Sequence, residues 1–340
     1  MKKEFKPRVK ATRINIAFVL LIMVFAITSN AQPVQDSTLN NLVHAPDYKT
    51  AEWGKLEETT KTGKGKQQLL LIAGDGFDVS IYDDFIRQFK KQYTIHAVTL
   101  PGYGKTHAPP MPPAGTSYGE QSWTMNAVTA IANHIQENKL NKPVVIGQNA
   151  FSTQVALRLA LNHPDQVGGI IILGGRAKFI IPGPPNAPQY SVKSLAAYVD
   201  NNTAPKWFKT VTRTTWNQGT LKPQLFSVDS VMAHKYWAES YNYPLPVMIR
   251  YTCEFFASDY TLEFDKLTCP VMVLRAGFND RILSDKSFNS VKPQYIDGWD
   301  KLAANKNASL HTIENAGMLV WKDQPEKVYN LVKEFLEKVK

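Results

Sequence analysis

The chain has little cysteine. Two residues, Cys253 and Cys269, stand among 340. A disulfide-stapled scaffold is excluded, and no Cys/His spacing of a metal site occurs. No metal and no cofactor is therefore expected. The pair leaves two states open, one disulfide in an oxidising compartment or two partly buried thiols. Internal repeats and low-complexity tracts are absent, which excludes a solenoid. A run of basic residues is absent outside the first 13 positions. The formal charge of +10 is otherwise spread along the chain, which is not the footprint of a nucleic-acid binder. A long apolar run is absent too. Residues 16–27 are shorter than the ~20 residues a membrane helix needs, so no stable span is expected once they are removed.

What precedes and follows that short run has the form of a leader. Lys2, Lys3, Lys6, Arg8, Lys10 and Arg13 make a basic start, and Ser29 and Ala31 place small residues at the −3 and −1 positions of a cleavage site before Gln32. The spacing predicts a secretory signal peptide over 1–31, similar to bacterial export signals, and a periplasmic or secreted protein. The leader carries six basic residues and Glu4, so residues 32–340 keep +5 of the +10.

Residues 32–66 are polar and read as a linker or an edge strand. From residue 67 onward, apolar runs of strand length alternate with stretches of helical spacing. The strands are expected at 68–73, 94–100, 144–146, 168–175, 269–275 and 308–313. Continuous apolar runs suit strands covered on both faces, and the alternation predicts a mostly parallel, doubly wound α/β sheet with helices on both faces. Helices are expected over 122–138, near 297–305 and after Pro325. Between about 177 and 262 the pattern breaks. Pro182, Pro184, Pro185 and Pro188 are followed by Trp207, Phe208, Trp216, Tyr236, Trp237, Tyr241 and Tyr243. This reads as an inserted helical lid whose aromatics form its own small core.

Four stretches in this order resemble the α/β-hydrolase family. They are Ala73-Gly74-Asp75-Gly76 after a strand, Pro101-Gly102-Tyr103-Gly104, the strand and loop ending at Asn279-Asp280, and Asn315-Ala316-Gly317-Met318. The resemblance implies the α/β-hydrolase fold over 67–340, with a lid. It also implies a nucleophile on a strand–turn–helix elbow, a histidine and an acid. The elbow falls in Gly147-Gln148-Asn149-Ala150. The resemblance puts Asn149 at the nucleophile position, Met318 at the histidine position and Asp280 at the acid position. The backbone N–H groups of Asp75 and Ala150 would form the oxyanion hole. A second register, with Ala150 at the tip, stays open. Asn149 suits a turn that demands φ > 0. Ser152 and Thr153 are expected to bond within the first helical turn. His107 and His234 stand as substitutes for the missing histidine, and His311 is expected within the sheet packing.

Three functions follow. The first is an exported, non-hydrolytic member that binds a small, partly apolar ligand between core and lid. The second is an active hydrolase-like or lyase-like enzyme using Asp280 and the backbone donors. The third is a protein-interaction scaffold.

Overall fold

A computed structural model describes residues 36–45, 47–180, 191–219, 222–241 and 243–339. The expected leader at 1–31 and the prolines at 182–188 lie outside them.

Among the described residues, seven strands form one sheet in the order β1-β3-β2-β4-β5-β6-β7. Six run parallel: β2 (Gln68–Ala73), β3 (Thr94–Thr99), β4 (Val144–Gln148), β5 (Gly169–Leu173), β6 (Val271–Ala276) and β7 (Ala308–Ile313). The edge strand β1 (Thr59–Thr62) pairs antiparallel with β3. The central register aligns Leu71 with Ile146, Ile146 with Ile171, and Ile171 with Met272. Side chains alternate between the faces of a strand. Leu69 and Leu71 therefore pack with Phe85 and Phe89 of helix α2 (Asp83–Phe89) on one face, a face completed by Val328, Val332 and Leu336 near the C-terminus. Leu70 and Ile72 pack on the other, against Trp123, Val128 and Ile131 of α3 (Ser122–Glu137) and Val155 and Leu159 of α4 (Phe151–Asn162). A short α1 (Leu39–Val43) precedes all of these. On the α3 face, His96 and His134 meet with Nδ1 and Nε2 3.0 Å apart. Burial, with His134 alongside, pushes His96 down to about 4.

Among the described residues, five α-helices lie between β5 and β6: α5 (Val192–Tyr198), α6 (Ala204–Thr210), α7 (Arg213–Gly219), α8 (Ser230–Ser240) and α9 (Leu245–Phe256). Val199, Ala204, Trp216, Leu245, Ile249 and Cys253 close a separate apolar core there, which takes in Leu39 of α1. The insert is fastened to the sheet layer at several points. Glu254 of α9 is buried and accepts from the Trp123 and Thr124 N–H groups at the start of α3, both at 2.9 Å. The Tyr251 hydroxyl donates to the Pro101 carbonyl at 3.1 Å. A Cβ on Gly102 would sit 2.6 Å from Val247.

After β6 come α10 (Asp280–Ser284) and α11 (Val291–Tyr295). After β7 come α12 (Val320–Asp323) and α13 (Pro325–Lys338). The helix expected at 297–305 is a 3-10 helix, Asp297–Ala304. Cys253 and Cys269 are separate buried thiols, and burial raises both, Cys269 to about 11. Among the described residues no helix is long and apolar enough to cross a membrane.

Candidate functional site

The strand β4 turns into α4 through two residues. Asn149 holds φ at 46° while Ala150 is right-handed at −95°, so the tip of the turn is Asn149. The crossing is tight. A Cβ on Gly147 would lie 2.8 Å from the Ser152 carbonyl and 3.2 Å from Ala156, so only glycine lets the helix return this closely over its own strand. Phe151 follows the tip without obstructing that return. It faces the lid instead and stacks on Tyr251, with centroids 5.5 Å apart.

Ala150 offers no side chain to cap α4. The cap comes from the loop after β2. Asp75, at φ 57°, turns a buried carboxylate onto the helix start. Its Oδ1 accepts from the Ala150 and Phe151 N–H groups at 3.1 and 2.8 Å. Its Oδ2 accepts from the Phe151 and Ser152 N–H groups at 3.0 and 3.1 Å, and from the Ser152 hydroxyl at 3.3 Å. Burial pushes Asp75 up to about 6, while these bonds and the charge of Arg176 pull it down. The Ala150 N–H, expected to be free for a ligand oxygen, is thus already donated within the chain. The resemblance named Asp75 for its backbone N–H, and it is the side chain that reaches these donors. Its inward turn depends on the positive φ at Asp75, which no local pattern announces.

Arg176 borders the same turn. Its N–H donates to the Asn149 carbonyl at 3.0 Å. Its guanidinium lies 4.9 Å from the Phe255 ring and 5.3 Å from the Tyr295 ring, and donates to Gln294 Oε1 at 3.1 Å. Around the elbow, Gln148 Oε1, Asn149 Oδ1, Thr153 Oγ1, Arg176 Nε and the Tyr295 hydroxyl are buried with no hydrogen-bond partner among the described residues. Sequence reasoning missed Arg176, Gln294 and Tyr295. Arg176 sits in the connection after β5 and Gln294 and Tyr295 in the short helix α11, and what brings them together is the tertiary fold.

The other expected residues lie as follows. Met318 is fully buried, and its backbone presses on the end of β5, where a Cβ on Gly174 would lie 1.9 Å from the Met318 carbonyl. The next residue, Gly175, faces the Asn149 carbonyl and Thr153 Oγ1 in the same way. Asn149 and Met318 thus border one two-glycine seam. Asp280 is exposed at the start of α10 and makes no hydrogen bond or ion pair among the described residues. Its neighbour Asn279 provides the helix cap, accepting from Ile282 N–H at 3.0 Å. No histidine bonds to any of these residues. His107 is exposed and paired with Glu57 at 3.1 Å, His234 is exposed and bonded to the Ser230 carbonyl, and His311 is half-buried on the edge strand β7. Ser152 bonds to Asp75 rather than within its own turn. Lid and loops close over the elbow: a Cβ on Gly76 would meet the Ser240 carbonyl at 2.5 Å. Among the described residues no group of three or more His, Cys, Asp or Glu could hold a metal ion.

A parallel sheet, an elbow with positive φ and a helical insert after β5 define a hydrolase-type α/β fold. The alpha/beta hydrolase family model matches residues 69–331, and the chain belongs to that family. Among curated relatives, the pimeloyl-[acyl-carrier protein] methyl ester esterase of Klebsiella pneumoniae (strain 342) is 26% identical over 117 residues, 34% of this chain and 40% of that protein. The abhydrolase domain-containing protein abhd-5.2 of Caenorhabditis elegans is 26% identical over 109 residues, 32% of this chain and 23% of that protein. The chain thus spans two fifths or less of the curated relatives it matches. A thermophilic esterase from Thermogutta terrifontis superposes with a TM-score of 0.58 at 19% identity, covering 83% of this chain and 93% of that one. At that identity the likeness concerns the fold alone.

Proposed function

We propose that this is an exported alpha/beta hydrolase-fold protein that has lost Ser-His-acid hydrolysis and binds a small, partly apolar, uncharged ligand between core and lid. The observation that carries the loss of hydrolysis is the elbow. Its tip presents a carboxamide, Asn149, and the adjoining Ala150 N–H is taken by Asp75. Nucleophilic hydrolysis needs a hydroxyl, thiol or carboxylate with a base in reach, and free donors for the developing oxyanion. Met318 at the histidine position supplies no base. Asp280 is too exposed to orient one, which also weighs against an enzyme built on Asp280 and the backbone donors. Ligand binding is supported by the unpartnered buried polar atoms at the elbow, among them Arg176 Nε next to the Phe255 ring. A few polar groups within apolar walls are what small-molecule sites present. The esterase relatives point to acyl compounds as ligands to screen.

The test uses residues 32–340 as purified protein. Short p-nitrophenyl esters are expected to show no turnover above background, and a fluorophosphonate probe no labelling. Saturable melting shifts are expected with neutral acyl esters or amides. Robust ester turnover sinks the proposal. Export is tested separately, by the mass of the protein recovered from the periplasm or medium. An N-terminus at Gln32 is expected, and a chain still bearing residues 1–31 in the cytoplasm contradicts it.

A further inference from the structure

We propose that helix α5 is a hinged flap over a groove on the flank of α4, and that the π-helical turn after α5 is its hinge. The groove runs along the second half of α4, away from the elbow at its start. The inference does not depend on whether the elbow hydrolyses anything.

The groove has one fixed wall and one loose wall. It holds 490 Å³ between Met125 of α3, Arg158 and Asn162 of α4, Leu262, and Gly119 facing Val192 of α5. The Arg158 wall is fixed. Its guanidinium lies 4.8 Å over the Tyr260 ring and donates to Glu263 at 3.0 Å. Tyr260 is buried, and its hydroxyl donates to Gln121 at 2.7 Å. The α5 wall has no such ties. Val192 opens a helix of seven residues in which none is buried, and Tyr198 at its end is 58% exposed. Segments that bury so little apolar surface open at low cost. Where α5 meets the core, Ala196 lies against Gly119. A Cβ on that glycine would stand 2.8 Å from the alanine Cβ.

The hinge is built into the sequence. Residues Val199–Thr203 form a π turn between α5 and α6, closed by the Ala204 N–H donating to the Val199 carbonyl five residues back. Such turns are uncommon, and where they interrupt an α-helix they are frequent at functional sites. Pro205 follows at once. It has no N–H to carry the α5 hydrogen-bond ladder onward, and in an unbroken α-helix its ring would press on the Asn201 carbonyl. The Asn201 side chain takes the Ala197 carbonyl at 2.8 Å, the acceptor that its own N–H uses in an α-helix. The pivot itself is anchored. Val199 and Ala204 are buried in the apolar core of the insert. Asp200 accepts from the Tyr118 N–H at 2.8 Å and from the Ser117 hydroxyl at 2.5 Å. A few residues at an element's end that absorb the backbone change are what a hinge requires. Motion of α5 is thereby confined to a swing about 199–203, which widens or shuts the groove at Val192 while the Arg158 wall stays in place.

The experiment measures the width of the groove by double electron–electron resonance on residues 32–340. Spin labels at Lys193→Cys and Asp165→Cys, both exposed, span it, and the two native thiols are buried and stay unlabelled. The otherwise wild-type chain is expected to show two populations, one short and one long. Gly119→Ala, whose added methyl pushes on Ala196, should move most of the chains to the long distance. Pro205→Ala, which lets one α-helix run from α5 into α6, should leave a single narrow population. A second pair, Asp165→Cys with Lys266→Cys on the fixed wall, should give one narrow distance in all three proteins. One narrow distance for the first pair in the wild-type background overturns the proposal, and so do two populations that Gly119→Ala leaves unmoved. Two populations that Pro205→Ala leaves unchanged overturn the π turn as the hinge. Two populations for the second pair overturn the assignment of the motion to α5.

Discussion

Replacing Glu254 with alanine should loosen the lid from the core at one of its strongest ties. The Glu254 side chain is fully buried and accepts four hydrogen bonds. They come from the Trp123 N–H, the Thr124 N–H, the Thr124 hydroxyl and Arg250 Nε, each at 2.9 Å. Arg250 is itself only 4% exposed and rests 4.1 Å from the Tyr118 ring. Glu254→Ala leaves that guanidinium buried without its counter-charge, a cost of about 3–5 kcal/mol. It also strips two N–H groups at the start of α3, where an orphaned buried donor costs about 1–3 kcal/mol. The two losses share one carboxylate and do not add in full, so about 4 kcal/mol is expected. Urea unfolding followed by tryptophan fluorescence measures it, since Trp123 is buried beside the site. Glu254→Leu with Arg250→Met should cost less than Glu254→Ala alone, because no charge is then left unpaired. A loss below about 1 kcal/mol for Glu254→Ala, or a larger loss for the double variant, refutes the reasoning.

Asn149→Ser combined with Met318→His should hydrolyse p-nitrophenyl acetate no faster than wild type, because Asp75 still holds the Ala150 N–H. Restored turnover would show that only the side chains at those two positions had decayed. The pH dependence of stability should reveal two opposed groups. His96, held near 4 by burial, contributes stability present above its unfolded value of ~6.5 and lost as pH falls toward 4. Asp75, raised to about 6, acts in the opposite sense. Its contribution is full below its unfolded value of ~3.9 and is lost as pH rises through 6. Each is worth on the order of 2–3 kcal/mol across its window. Relative to wild type, His96→Phe should therefore lose stability as pH rises from 4 to 6, and Asp75→Asn should gain it. Urea midpoints at half-unit steps report this, and difference curves of the same sign for both variants contradict it.

The sheet could be read from the chain because its strands are continuous apolar runs. Residues 68–73 are bounded as they stand in β2, which is buried along nearly its whole length, and 308–313 as they stand in β7, which is half-buried at the sheet edge. The elbow could be read because Gly147 and Asn149 answer to local backbone demands. Asp75 could be placed near it but not oriented. The direction of its carboxylate follows from a loop 75 residues before the helix it caps, and from the lid that packs on Gly76. Phe151 puts a bulky ring where the helix returns over its own strand, a cost that no local pattern offsets. The lid resolves it by giving Phe151 a ring, Tyr251, to stack on. The edge strand β7 was expected to bury His311 more than it does, since nothing in its sequence says that no further strand covers it.

Three carboxylates, Glu254 and Asp75 buried and Asp323 half-buried, take backbone donors in this fold, and together they bear on its chemistry. Glu254 ties the lid to the start of α3. Asp323 accepts from the Gly317 and Val228 N–H groups at 2.7 and 3.1 Å, and from the Ser227 hydroxyl, tying the insert to the segment that carries Met318. Asp75 ties the loop after β2 to the start of α4. Each takes backbone donors from a segment that packs against the insert. Catalysis by such donors depends on their being more strongly engaged in the transition state than before it. A donor already committed to a permanent carboxylate gains nothing when a substrate oxygen becomes charged. It can lower no barrier until that carboxylate moves away. At the elbow, on the function proposed above, the arrangement that steadies the turn is also what would keep the Ala150 N–H from serving hydrolysis. Restoring a nucleophile without displacing Asp75 would place a hydroxyl beside donors that cannot answer it.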